Sequence, residues 1–370
     1  MSVSCTKKIN RMAMNKKVIF LMPRACMEPA GGFKVVFEYA NRLVKDGVEV
    51  EIVYPMVQKD AQYDLLHAVA YRLIFIYRWL TGAYKPRWFS LHSQIKQRWV
   101  WCLDSCNIDC NAVVIATAIE TAFSLQRNKH SEDIKRQVYF IQDYENWRYT
   151  DEEVNASYRF PMEKIVISNW LKNIVNREGE EAFLIPNGFD FNNFKLEREI
   201  ETRNKHSVIC MYHQDERKDL PTAFKAFEIV KRKHPELHVT MFGTFPKPDL
   251  PNWYSYIQRP DHEQFNQLYN NAAIYVGSSK VEGWGLTVGE AMQCGCAVAC
   301  TDNKGYLEMA CNEKTALVAH VGDTTELANN IIRFIEKDSL RYDIAKRGNE
   351  FIQSLDINKS YQMFRDFLIK

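Results

Sequence analysis

The chain has 370 residues, too many for one ordinary core and suited to two domains that each bury an apolar interior. Its 48 Lys and Arg stand against 46 Asp and Glu, which excludes the strong basic excess of a typical nucleic-acid binder, so any anion site has to be local. Ten cysteines in a chain of this size, with no secretory leader before them, read as reduced thiols of a cytoplasmic protein rather than as a disulfide framework.

The basic amino terminus, MSVSCTKKINRMAMNKK, has no apolar periodicity, and an internal start at Met12 or Met14 is compatible with it. The apolar stretch Val18 to Met22 is far too short for a signal-peptide or membrane-spanning core and reads as a buried strand. Gly31-Gly32 then opens a helix whose Phe33, Val36, Phe37, Ala40, Leu43 and Val44 share a buried face, ended by Gly47. Further buried strands are expected at VEVEIVY (48), AVVIA (112), VYFIQ (138), KIVIS (164) and AFLIP (182). Cys102, Cys106 and Cys110 recur every fourth residue, which places them on one face if that stretch is helical, but no companion ligands complete a zinc site.

Pro186-Asn187-Gly188 and the irregular, charged stretch 189–206 break both periodicities and mark a domain junction. A second strand series follows at SVICMY (207), LHVTMFG (237), AAIYVG (272), CAVACT (296) and TALVAH (315), again with helical patterns between. Alternating strands and helices imply parallel sheets, hence an α/β fold of two Rossmann-like domains. We expect a first domain over 1–187, a second over 188–350, and a closing helix over 351–370 that packs back on the first.

In open parallel sheets, ligands bind beyond the carboxyl ends of the strands, where helix amino termini favour anions. Gly31 and Gly32 occupy such a loop and let backbone amides approach a phosphate, although a plain loop-to-helix turn accounts for a glycine pair equally well. The loop after AAIYVGSS runs from Lys280 to Gly295 within one strand–loop–helix–strand unit. It places Glu282 and Glu290 eight residues apart at the binding edge, with the amides around Gly285, Leu286 and Thr287 facing an anion. Two carboxylates there suit sugar hydroxyls, while the plainer alternative is that both merely favour the positive end of a helix. Arg217-Lys218, after the strand at 207, lies at the same edge and suits a diphosphate.

Glu282-GWGLTVG-Glu290 resembles the Glu-seven-residues-Glu signature of retaining glycosyltransferases of the GT-B architecture, particularly family 4 (glycosyltransferase group 1). GGFKVVFEYANRLVKDGVEVEIV, ISNWLKNIV, IPNGFD and RKDLPTAFKAF resemble further segments of that family in the same order, leaving about residues 55–110 uncovered. YFIQDYE (139–145) is similar to segments of bacterial polysaccharide enzymes, rhamnosyltransferases among them.

The resemblance implies two Rossmann-like domains facing a central cleft and transfer of a sugar, with retention, from a nucleotide diphosphate donor to a glycan or lipid-linked acceptor. It gives Lys218 and Arg217 the diphosphate, Glu290 the ribose, Glu282 the transferred sugar, and Gly31 and Gly32 the phosphates from the opposite domain. His213 stands where the family usually has an arginine, five positions before the lysine, which leaves it a candidate phosphate contact. Asp143 and Glu145 end a strand in the first domain and are candidates to face an acceptor, with helix capping or loop solvation as the alternatives. No Asp-x-Asp triplet occurs, in keeping with a mechanism that needs no metal and no cofactor beyond the donor. A deoxythymidine diphosphate rhamnose, or a uridine or guanosine diphosphate hexose, is the donor this implies; Gly243 to Phe245 and Ile257 to Pro260 are candidates for recognising its base and sugar, although their residue types are not diagnostic. GT-B epimerases, phosphorylases and non-catalytic scaffold subunits share the fold and stay open as alternatives.

Ala68 to Trp101 carries Arg72, Arg78, Lys85, Arg87, Lys96 and Arg98 with no Asp or Glu, interleaved with Trp79, Trp88, Trp99 and Trp101. Such a stretch suits peripheral docking on an anionic membrane, each basic residue near the surface contributing about 1 kcal/mol. A pair of helices that bury the aromatics against the first domain is the alternative.

Overall fold

The computed structural model describes residues 17–56 and 65–369; Met12 and Met14 lie outside them. The described chain divides into two compact units, one running up to Pro186 and resuming at Tyr361, the other from Asn187 to Ser360.

In the first unit the strands are β1 (Lys17–Leu21), β2 (Glu49–Pro55), β3 (Lys96–Val100), β4 (Val113–Ala116), β5 (Arg136–Ile141), β6 (Glu163–Val166) and β7 (Ala182–Leu184). Among the described residues they form one seven-stranded parallel sheet in the order β3-β2-β1-β4-β5-β6-β7. The central strands are apolar on both faces because helices cover both sides, as a parallel sheet requires. The helices are α1 (Gly31–Lys45), α2 (Leu65–Thr81), α3 (Ile119–Arg127), α4 (Asp151–Tyr158) and α5 (Asn169–Arg177).

In the second unit β8 (Ser207–Met211), β9 (His238–Gly243), β10 (Tyr254–Gln258), β11 (Ile274–Gly277), β12 (Ala297–Thr301) and β13 (Leu317–Ala319) make a parallel sheet ordered β10-β9-β8-β11-β12-β13. Helices α6 (Leu220–Lys233), α7 (His262–Asn271), α8 (Leu286–Gln293), α9 (Thr324–Glu336), α10 (Asp338–Ile352) and α11 (Ile357–Ile369) complete the described chain. Val208, Val239, Ile274, Ala297 and Leu317 build the core with Phe227 of α6, Ile331 and Phe334 of α9 and Ile344 of α10. In both sheets the strand order reverses beside the first strand, at β1/β4 and β8/β11, the topology of a nucleotide-binding doubly wound fold.

Two readings change. The stretch with Cys102, Cys106 and Cys110 is a run of turns, not a helix, so no shared face exists; the Cys106 thiol donates to the Leu103 carbonyl at 3.3 Å instead. The cysteines among the described residues are free thiols. The segment 68–101 is neither a pair of helices nor a uniform surface: α2 is followed by turns and then strand β3. Trp99 is buried, the Trp88 indole donates to the Cys26 carbonyl at 3.1 Å, and the Arg98 guanidinium pairs with the buried Glu51.

Candidate functional site

In the second unit the switch point lies between β8 and β11, and the loops leaving both strands carry the candidate residues. After β8 the chain makes a short helical turn at Glu216–Lys218, capped by the Asp215 carboxylate accepting the Arg217 amide. Asp219 then takes a left-handed conformation and accepts from Thr222 at 2.7 Å, which turns the chain into α6. After β11, the Ser278 hydroxyl donates to the Lys218 carbonyl at 2.9 Å and the Lys280 amide to the Arg217 carbonyl at 2.7 Å. These bonds hold the two loops side by side.

Their side chains meet. The Lys218 ammonium lies 2.6 Å from Glu282 Oε1, and the same oxygen accepts the Ser279 hydroxyl at 2.7 Å. Tyr306, buried after β12, donates to the Ser279 hydroxyl at 2.9 Å and reaches Glu282 Oε1 at 3.5 Å. Burial between Glu282 and Tyr275 pushes the Tyr306 phenol well above its ordinary value, so it stays a donor at all ordinary pH. Lys218 and Glu282 keep 19% and 14% of their side-chain surface, so the pair is screened from bulk water yet open to a ligand.

Gly285 precedes α8 at φ 98°, a left-handed conformation that glycine adopts without strain, and offers no side-chain cap to the first-turn amides. Thr287 faces inward, its hydroxyl accepting from the Tyr275 phenol at 2.7 Å, while Leu286 is half-buried. Glu290 is buried one turn on, with the Tyr269 phenol donating to its Oε2 at 3.4 Å.

The remaining basic candidates are engaged differently. The Arg217 guanidinium is held by Asp215 through its Nε and through a terminal nitrogen at 2.8 Å, so much of its charge is met within the loop. His213 Nδ1 accepts the Asp215 amide at 2.9 Å, and its ring meets Phe245 edge-on at 4.9 Å. Burial, reinforced by the nearby Lys218, lowers the His213 pKa below its ordinary value. The ring is therefore neutral near pH 7, with the proton on Nε2, and offers a hydrogen bond but no charge.

In the first unit Gly31 and Gly32 begin α1 after Ala30, again without a side-chain cap, and a Cβ on Gly32 would touch the Gln142 amide at 3.4 Å. Asp143 accepts the Tyr144 amide at 2.9 Å. The Glu145 carboxylate accepts the Ile119 amide at 2.5 Å, capping α3. Ser279, Tyr306, Tyr269 and Tyr275 are the residues that sequence reasoning missed. The position of Tyr306 just past β12, the strand beside β11, was the signal for it, since all carboxyl ends of a parallel sheet share one edge.

Residues 193–351 match the family model described as glycosyl transferases group 1. Among curated proteins, the chain is 27% identical over 149 residues to O-antigen chain mannosyltransferase B of Escherichia coli, covering 40% of this chain and 33% of that protein. It is 30% identical over 107 residues to the N,N'-diacetylbacillosaminyl-diphospho-undecaprenol alpha-1,3-N-acetylgalactosaminyltransferase of Campylobacter jejuni, covering 28% of each. The matched stretch thus spans about a third or less of those relatives' length. Among solved structures, the Anabaena protein Alr3699/HepE in complex with UDP-glucose superposes with a TM-score of 0.69 at 17% identity, covering 95% of this chain and 99% of that one.

Proposed function

We propose that this chain, a GT-B protein of the group 1 glycosyltransferase type, transfers a sugar from a nucleotide diphosphate donor to a glycan or lipid-linked glycan, with retention and without a metal ion. The observation that carries the proposal is the Lys218–Glu282 pair at 2.6 Å beyond β8 and β11, with Glu290 in the helix that follows. An ammonium there neutralises charge as it grows on a departing diphosphate. That is the task a divalent ion performs in metal-dependent transferases. Glu282, fixed by Ser279 and Tyr306, orients sugar hydroxyls, and Glu290 accepts from a ribose hydroxyl.

The bond from the anomeric carbon to the phosphate oxygen breaks as the acceptor oxygen bonds to the same face of that carbon. The acceptor proton passes to the leaving phosphate oxygen. The two curated relatives are named for an O-antigen chain and a diphospho-undecaprenol, which supports a growing, lipid-linked glycan as the acceptor class. Those two names give different sugars, so the donor is sought in a panel. One observation favours a second reading, a binding-only GT-B subunit: Arg217 is engaged by Asp215 and His213 is neutral, which leaves Lys218 as the main cation of the loop.

The deciding experiment incubates the protein with uridine, guanosine and deoxythymidine diphosphate sugars, rhamnose included, and a lipid-linked glycan, with and without a chelator. Nucleoside diphosphate released only with acceptor, and undiminished by the chelator, is the expected result. Tight donor binding with no release under any combination makes the protein a binding subunit. Activity abolished by the chelator and restored by magnesium or manganese overturns metal independence.

A further inference from the structure

Helix α2 has its polarity reversed. Leu66, Val69, Leu73, Ile76, Tyr77 and Leu80 recur at helical spacing and form one face, the stripe that normally turns toward a core. Here that face points into solvent: Leu66, Leu73 and Leu80 are 82%, 63% and 70% exposed. A run of large apolar side chains this exposed is uncommon on a soluble surface and marks a site of association. The inward side is secured elsewhere, by Phe75 stacked on Trp99 at 6.0 Å and meeting Trp101 edge-on at 5.7 Å.

The charges beside the face identify what covers it. Arg72 is exposed, with its guanidinium 5.9 Å from the centre of the Trp101 ring, and Lys85, Arg87 and Lys96 are exposed in the segment that follows. From residue 65 to residue 101 the sequence contains no acidic residue. A second copy docking through the same face would bring these like charges together about a two-fold axis, which disfavours a homodimer there. An anionic bilayer meets both demands, since acyl chains take the aliphatic stripe and phosphates take the basic residues. Trp79, 59% exposed, supplies the indole that favours the headgroup level. The helix has 17 residues, about 25 Å at 1.5 Å per residue, and no helix among the described residues is long and apolar enough to cross a membrane. It therefore fits lying in the interface.

We infer that α2 is a membrane-docking helix that seats its Leu66–Leu80 face in the headgroup region of an anionic bilayer. The test is co-sedimentation with vesicles of phosphatidylcholine containing roughly three parts in ten phosphatidylglycerol. Wild type is compared with a Leu73→Ser, Ile76→Ser, Leu80→Ser variant and with an Arg72→Gln, Lys85→Gln, Arg87→Gln variant. All the substituted residues are solvent-exposed, and matching thermal melts establish that both variants fold. The wild type is expected to pellet with anionic vesicles at low salt. The serine variant should lose binding by at least about tenfold, while the glutamine variant and high salt each lower it several-fold.

Wild type remaining in the supernatant overturns the inference, as does a serine variant that binds undiminished. Light scattering that finds a wild-type dimer dissolved by the serine substitutions, with no vesicle binding, assigns the face to a second copy instead. Nucleoside diphosphate binding without vesicles is measured on the same samples. Failure of docking therefore leaves the proposed reaction standing, and failure of nucleotide binding leaves the docking result standing.

Discussion

Lys218 and Glu282 share a hydrogen bond at 2.6 Å, yet the proposed reaction asks different things of them. Charge on the diphosphate grows as the sugar departs, so Lys218→Ala should lower kcat more than it weakens donor affinity. Steady-state kinetics beside calorimetry check this, and an affinity loss with kcat intact would assign Lys218 to ground-state binding. In the proposed reaction Glu290 binds ribose, so Glu290→Ala should lower nucleoside diphosphate affinity by about 1.5–3 kcal/mol, the worth of a charge-assisted hydrogen bond. Calorimetry on the folded variant that finds unchanged affinity removes Glu290 from the site.

His213 adds a pH signature to the fold. Burial and Lys218 hold its pKa below the ordinary value, so at pH well above about 6.5 the ring is neutral in both folded and unfolded chains and contributes no pH dependence. As the pH falls below that value the unfolded chain takes up a proton that the folded chain refuses, and stability is lost until the folded ring also protonates. His213→Asn keeps an acceptor for the Asp215 amide but cannot titrate. Its urea midpoint should therefore rise relative to wild type between about pH 7.5 and about pH 5.5. A difference that stays constant across that range would show that the ring carries no such penalty.

At the scale of elements, the turn into α8 is tightly constrained. A Cβ on Gly285 would lie 2.5 Å from Tyr306 Cδ1, in a backbone conformation that already costs a non-glycine residue about 1–2 kcal/mol. Gly285→Ala should therefore destabilise the protein by at least about 2 kcal/mol in urea unfolding and move Tyr306 off Ser279 and Glu282. A variant as stable as wild type would mean that the loop tolerates another path. This constraint is not visible in a glycine count, because Tyr306 comes from beyond the next strand.

The same distinction explains which elements the sequence discloses. β1, β4, β8 and β11 are continuous apolar runs because they lie inside their sheets, and a buried run declares itself. Strands β3 (KQRWV) and β10 (YSYIQ) escaped the reading. Both are edge strands, half-exposed and mixed in polarity, and KQRWV takes its strand character from pairing with β2. Glu282 and Lys218 stand out because each follows an apolar strand within a glycine- or proline-bearing turn. The hold of Asp215 on Arg217 depends on a helical turn of three residues, which composition does not reveal.

For the whole molecule, the α/β class was legible from two strand series, and a closing helix over 351–370 that returns to the first domain was expected, but the side chains that hold the chain end meet far apart in sequence. The chain leaves the first unit at Pro186 and rejoins it at Tyr361. There Phe364 stacks on Tyr39 at 4.5 Å and on Phe20 at 6.3 Å, while Tyr361 and Arg365 both reach the Asp46 carboxylate, at 2.6 and 3.2 Å. Phe364 has no exposed surface, so Phe364→Ala should cost about 3–5 kcal/mol, all of it drawn from the first unit. Hydrogen exchange followed by mass spectrometry can localise that loss. Amides of β1 and α1 should exchange faster in the variant while those of β8 and β11 keep their protection, and nucleoside diphosphate binding at the second unit should persist. Equal loosening of both units would show that the two cores unfold as one, and unchanged exchange in β1 and α1 would show that Phe364 is not part of the first core's support.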